Sequence, residues 1–236
     1  MNVALIFAGG VGSRMNSRAL PKQFLEINGT PVIIHTLRHF ENHPEIDAIA
    51  VALIAGWHDH FRTLLRRYDI TKVRWIVEGG ATGQASRHKV LTTVAEQCDP
   101  DTVVLFHDGV RPLINQQLIT DNLEAVIQHG SAITTTKFNE TVTVVHGDDI
   151  TDVIPRDHIY AAQAPQSFRL GEILSLYDRA VEDGEFDSID SCTLMQRYGR
   201  PLHAVVGPRS NIKVTTAEDF YVCRTFFQLL ENQQIA

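Results

Sequence analysis

Val3-Ala4-Leu5-Ile6-Phe7-Ala8 runs directly into Gly9-Gly10-Val11-Gly12-Ser13-Arg14, and that junction decides the fold. Six apolar residues closed off by glycines predict a buried strand. Short apolar runs of the same kind recur at 48–54, 73–77 and 103–106. Between them, 31–40, 57–68 and 84–98 carry apolar residues at helical spacing. In the second, Phe61, Leu64, Leu65 and Tyr68 fall on one face. Pro31 suits a first helical turn. Strands separated by helices of this length imply βαβ crossovers, hence an α/β fold with a mainly parallel sheet. Ligands of such sheets sit beyond the carboxyl ends of the strands, so the residues after each strand come next.

The first loop is not a Walker A motif, because no Gly-Lys-Ser/Thr closes it. Met15 occupies the third glycine position of a dinucleotide fingerprint. What remains is a glycine turn that either simply reverses the chain or lets backbone N–H groups approach a phosphate. Arg14, and Lys22 within Pro21-Lys22-Gln23, bring positive charge to it. The third strand leads to Glu78-Gly79-Gly80 and then Gly83-Gln84-Ala85-Ser86-Arg87, where Ser86 suits either a nucleoside contact or a helix cap. The fourth ends in His107-Asp108-Gly109-Val110-Arg111-Pro112. There Asp108 suits a ribose hydroxyl, a metal-bound water or an ion pair with Arg111. Late in the chain stands Asn211-Ile212-Lys213-Val214-Thr215, whose lysine alone reads as an ordinary surface residue.

One stretch breaks the rhythm. Residues 141–154 alternate as two short strands around His146-Gly147-Asp148-Asp149, the pattern of a β-hairpin. An isolated ribbon is marginal in water, so it is expected to pack on its own sheet's edge or on another subunit. Helices at 170–182, 191–198 and 218–230 and a strand at 202–206 complete the pattern.

Composition sets the outer limits. The 236 residues carry 28 acidic and 21 basic side chains, a formal charge of −7, which disfavours a general nucleic-acid binder. With 44% hydrophobic residues the chain is not disordered, and a single domain spanning 1–236, with a β-arm at about 138–158, is expected. Cys98, Cys192 and Cys223 form no metal or disulfide pattern. The opening apolar run is far short of a membrane span and lacks a secretory signal's layout. A cytoplasmic protein is expected. His58-Asp59-His60 falls on a helix where i and i+2 do not share a face, so it is no metal site, and no nucleophile elbow is present.

A glycine loop, the cations Arg14, Lys22 and Lys213, and a strand-end Asp make physical sense around a nucleoside triphosphate. Nucleotidyl transfer needs mostly positioning and charge neutralisation. A phosphate monoester acceptor, with its second pKa near ~6, is already a nucleophilic dianion and needs no general base. The remaining obstacle is repulsion between two polyanions, which Mg²⁺ and converging cations relieve.

The four motifs, 8–15, 21–23, 107–112 and 211–215, in this order and spacing resemble the IspD/TarI family of cytidylyltransferases. The resemblance implies a Rossmann-like nucleotidyltransferase fold, CTP and Mg²⁺ as reactants, and pyrophosphate release. It also implies a homodimer whose protruding hairpin reaches the partner's active site. On it, Arg14, Lys22 and Lys213 would stabilise the pentacoordinate α-phosphate. Ala8, Gly9, Gly10, Gly12, Gly80, Ser86 and Asp108 would hold CTP. Arg111, Thr141, Arg156 and Lys213 would surround the acceptor phosphate, Arg156 coming from the other subunit. Asp108 is the one candidate metal ligand, the phosphates supplying the rest.

Two departures bear on the acceptor. Ala164-Pro165-Gln166 stands where the methylerythritol 4-phosphate branch usually has Thr-Pro-Gln, and Asp190-Ser191-Cys192-Thr193-Leu194-Met195 where it usually has Thr-Asp-Asp/Glu-Ala. Both look like the ribitol 5-phosphate branch, which feeds teichoic acid and capsule polymers. The methylerythritol acceptor is the sibling alternative; an NAD(P)-dependent oxidoreductase and a catalytically silent nucleotide-binding module are the others.

Overall fold

The computed structural model describes residues 1–10 and 20–233. In chain order the strands are β1 (Asn2–Ala8), β2 (Glu26–Ile27), β3 (Thr30–Pro31), β4 (Ala48–Leu53), β5 (Val73–Glu78), β6 (Val103–Asp108), β7 (Ser131–Lys137), β8 (Val142–His146), β9 (Asp149–Ile154), β10 (Tyr160–Arg169) and β11 (Ala204–Val206). The helices are α1 (Val32–Glu41), α2 (His58–Arg67), α3 (Gly83–Ala95), α4 (Gln116–His129), α5 (Leu170–Glu182), α6 (Ser191–Arg197) and α7 (Ala217–Gln233). The central sheet runs β11-β7-β10-β6-β1-β4-β5. All its neighbours pair in parallel except β10, which runs antiparallel to both β6 and β7. The mainly parallel sheet expected from the sequence is therefore present, with one reversed strand inserted.

Alternation along β1 explains its unbroken apolar character. Ala4, Ile6 and Ala8 face a core with α1, α2 and α4, while Val3 and Leu5 face a second core with α3, α5 and α6. Both faces of the strand are covered, so neither can be polar. A smaller cluster around Val110, Leu113, Val214 and Cys223 seats α7.

Besides the short β2–β3 pair, three elements lie outside the sequence pattern described above: α4, β7 and β10. Asn115 caps α4 through Leu118 N at 2.8 Å, and Gly130 ends it in the left-handed region at φ +81°. β10 carries Pro165 in its interior, a residue that argues against a central strand in sequence. The register between β10 and β7 shifts between Ala162 and Gln166, which accommodates it.

The hairpin is where the sequence places it. β8 and β9 pair antiparallel through a turn at Gly147 (φ +62°), and they form a two-stranded sheet separate from the central one. Val145, Ile150 and Val153 on it are 53%, 63% and 55% exposed. Among the described residues no helix is long and apolar enough to cross a membrane.

Candidate active site

The carboxyl ends of β1, β5 and β6 meet at one edge of the sheet, and glycines allow their close approach. A Cβ on Gly109 would lie 3.1 Å from Ala8 Cβ and 3.3 Å from Phe7 O. A Cβ on Gly79 would come within 3.8 Å of Gly9 Cα, and one on Gly80 within 2.8 Å of Ala85 Cβ at the start of α3. Side chains at these positions would push the three loops apart. Gly80 N donates to Ser86 Oγ at 2.9 Å, and that hydroxyl donates to Thr82 O. The cap of α3 is Thr82, whose Oγ1 accepts from Ala85 N. Of the two roles Ser86 suits from sequence, the cap is thereby corrected: Ser86 instead fixes the Gly80 turn.

The segment after the first loop returns to the same edge. Gln23 is buried and donates to Ala8 O at 2.7 Å. Next to it, Lys22 Nζ donates to Val214 O at 3.0 Å, although the two residues are 192 positions apart. Its Cε passes 3.8 Å from where a Gly10 side chain would stand. Gly12 and Arg14 lie outside the described residues.

Asp108 organises the centre. Its Oδ1 pairs with Lys213 Nζ at 2.7 Å and its Oδ2 with Arg111 Nε at 2.8 Å. Burial would raise the Asp108 pKa, but Lys213 and then Arg111 outweigh it and hold the carboxyl well below the ordinary range. The ion pair, one of the three roles Asp108 suits from sequence, is thus realised, and Lys213 is no stray surface lysine. Val214 N donates to Val110 O, and Arg111 Nη1 donates to Asn211 O, so 211–214 runs alongside the β6 loop.

His107 is fully buried, with Nε2 against Arg111 O at 3.1 Å. Burial lowers its pKa to about 4, so near neutrality it is an uncharged ring that donates from Nε2. It is bound into the loop and is not placed as a general base.

A cleft of about 270 Å³ opens here, lined by the charged Asp108, Arg111, Lys213 and Arg87 together with Ala164, Gln166 and Asp190. A wider hollow of about 550 Å³ along β5 shares none of these residues and contains no carboxylate. The two sequence departures form one wall of the cleft. Gln166 Nε2 donates to Asp190 Oδ2, and Gln166 Oε1 accepts from Cys192 N. Arg87 donates to Tyr177 Oη and Ser188 O, bracing the loop before α6. Sequence reasoning gives no role to Arg87, Gln166 or Asn211, since their partners lie far off in the chain, and none to His107, whose partner Arg111 O is near but whose burial local spacing does not reveal. Thr141 and Arg156 are exposed on the arm, Arg156 donating to Asn139 O at 3.3 Å, and neither lines the cleft. Among the described residues no group of three or more His, Cys, Asp or Glu is placed to hold a metal.

A glycine-walled strand edge with converging cations is the architecture of a nucleotidyl-transfer site, and comparison with known proteins agrees. The model of the IspD family, 2-C-methyl-D-erythritol 4-phosphate cytidylyltransferase, matches residues 2–228. The chain belongs to the IspD family of cytidylyltransferases. Within it, the chain is 48% identical to a ribitol-5-phosphate cytidylyltransferase of Vibrio parahaemolyticus serotype O3:K6, over all of this chain and 99% of that one. It is 46% identical to the protein of that name from Streptococcus agalactiae serotype Ia, over the same shares of each. The crystal structure of 4-diphosphocytidyl-2C-methyl-D-erythritol synthase from Anaerococcus prevotii superposes with a TM-score of 0.82 at 30% identity, covering 96% of both chains. Family membership removes the dinucleotide-dependent oxidoreductase from consideration.

Proposed function

We propose that the protein transfers CMP from CTP to D-ribitol 5-phosphate, giving CDP-ribitol and pyrophosphate. The observation that carries the acceptor is 46–48% identity along the whole chain to ribitol-5-phosphate cytidylyltransferases. The cleft supports it, because Ala164, Gln166, Asp190 and Ser191 line it and the two segments they belong to are hydrogen-bonded to each other. Ala164 presents a methyl group where the methylerythritol branch has a hydroxyl.

In this reading Ala8, Gly9, Gly10 and Gly12 approach the triphosphate, while Gly80, Ser86 and Asp108 hold the nucleoside. Arg14, Lys22 and Lys213 take up the charge that builds on the α-phosphorus as the acceptor oxygen attacks and pyrophosphate leaves. Arg111 and Lys213 draw in the acceptor phosphate, joined by Thr141 and Arg156 of the partner subunit in a homodimer. The exposed apolar face of the arm supports that assembly. The acceptor is a dianion above its second pKa of ~6, and a neutral, engaged His107 suits a reaction that needs no base. Mg²⁺ would neutralise phosphate charge. Both Asp108 oxygens are already held, so the chain fits a metal that arrives on the nucleotide better than a protein-built cage. The product would supply activated ribitol for cell-wall or capsule polymers in the cytoplasm.

Pyrophosphate release with CTP and each acceptor, followed by mass identification of the product, tests this. Turnover with ribitol 5-phosphate is expected. Turnover with 2-C-methyl-D-erythritol 4-phosphate alone would overturn the choice of acceptor.

A further inference from the structure

Asn211 is fully buried and joins two parts of the cleft. Its Nδ2 donates to Ala164 O at 2.6 Å, on the acceptor wall. Its own carbonyl accepts from Arg111 Nη1 at 2.8 Å, and Lys213 follows two residues later. On the other side of the same bend, Thr134 Oγ1 donates to Pro165 O at 2.7 Å. Thr134 in turn accepts from Asn122, which accepts from Ser167 at 3.0 Å. Two consecutive carbonyls of β10 are therefore held from opposite sides by buried side chains.

The other end of the amide gives the second observation. Asn211 Oδ1 is buried with no partner among the described residues. An unsatisfied buried carbonyl oxygen costs stability, so packing alone does not account for an asparagine here. Its donor end does, because that end joins the acceptor wall to the strand of cations.

We propose that Asn211 is a positioning residue for cytidylyl transfer, locking the Ala164 wall to Arg111 and Lys213 so that the acceptor phosphate meets both cations in one geometry. This rests on the acceptor reading above. A residue acting in this way governs acceptor use and leaves CTP binding alone.

The test compares Asn211→Ala, Arg111→Ala and the double variant, with pyrophosphate release as activity and calorimetric titration for CTP. Asn211→Ala is expected to lower kcat/KM for ribitol 5-phosphate by about 10²-fold, the scale of an ångström-level misplacement, with the Kd for CTP within about threefold. In the Arg111→Ala background the same change should cost at least about threefold less, because one of the two cations it positions is gone. Equal losses in both backgrounds, or acceptor and CTP affinity falling together, would overturn the proposal. Should Asn211→Ala fail to fold, Thr134→Val releases the neighbouring carbonyl while keeping the shape. A rise in acceptor KM at constant CTP affinity supports the lock, and an unchanged acceptor KM sinks it. If the wild-type enzyme uses only methylerythritol 4-phosphate, the acceptor reading fails on its own, and the same cycle run with that substrate still decides the role of Asn211.

Discussion

The cleft and the arm are built on opposite principles. Around Asp108 the described cations are tied to the chain, from Lys22 on Val214 O to Arg111 on Asn211 O and Lys213 on the carboxylate itself. On the arm, β8 and β9 hold only each other, with three aliphatic side chains more than half exposed. A two-stranded ribbon of that kind gains little from the monomer's core. The cleft is therefore organised by its own chain, whereas the arm waits for a surface to cover it.

The largest effect should come from breaking the cleft. Lys213→Ala removes the cation proposed to stabilise the reacting phosphates, and turnover measured by pyrophosphate release should fall by about 10³-fold. CTP binding should survive, which separates an enzyme from a silent nucleotide-binding module. Next comes the arm. Ile150→Asp with Val153→Asp should shift a dimer to monomer in sedimentation velocity and cut activity by about 10²-fold, on the scale of a lost positioning contact, while far-UV dichroism stays unchanged. Loss of activity with the dimer intact would mean that the arm acts by some other route.

A smaller effect sharpens the contrast through pH. His107 has an ordinary pKa of 6.5, lowered to about 4 by burial. Below 6.5 the unfolded chain takes up a proton that the folded one refuses until near 4, so this contribution is complete above 6.5 and lost as pH falls toward 4. Its size is a few kcal/mol. His107→Gln keeps a donor for Arg111 O but does not titrate. Urea unfolding of that variant should show a shallower loss of stability across this window, by about one proton's worth of slope. The smallest effects come from two glycines with positive φ and open surroundings. Gly130→Ala, at the end of α4, should cost about 1 kcal/mol of global stability. Gly147→Ala, at the arm's turn, should leave the thermal midpoint of the core where it was.

The parallel half of the sheet is legible because β1, β4 and β6 are buried on both faces, and because β5, half-exposed at the edge, still closes on a charged glycine loop. β10 is not, since Pro165, Gln163 and Gln166 within ten residues look like a loop until β6 and β7 flank them. α4 escapes a strand-led reading although Asn115 and Gly130 bracket it. In the site, the motif residues and the local Asp108–Arg111 pair are legible, but the long-range partnerships are not. Arg111 and Asn211 are 100 residues apart, and nothing in local spacing says that they touch. Arg197 pairs with both Glu185 and Asp187, and Gln84 holds Glu185 O from 101 positions away, ties that the sequence around 183–187 does not disclose. Charge patterns reveal which groups are available; only the fold reveals which are already committed.

The twin embrace of Asp108 by Lys213 and Arg111 sets a threshold for what the cleft admits. Two positive groups share one resident negative charge, so a newcomer must compete with a carboxylate that needs no desolvation to stay. One unit of positive charge is left over at that pair, so a doubly charged monoester or a triphosphate gains more on entering than a singly charged anion does.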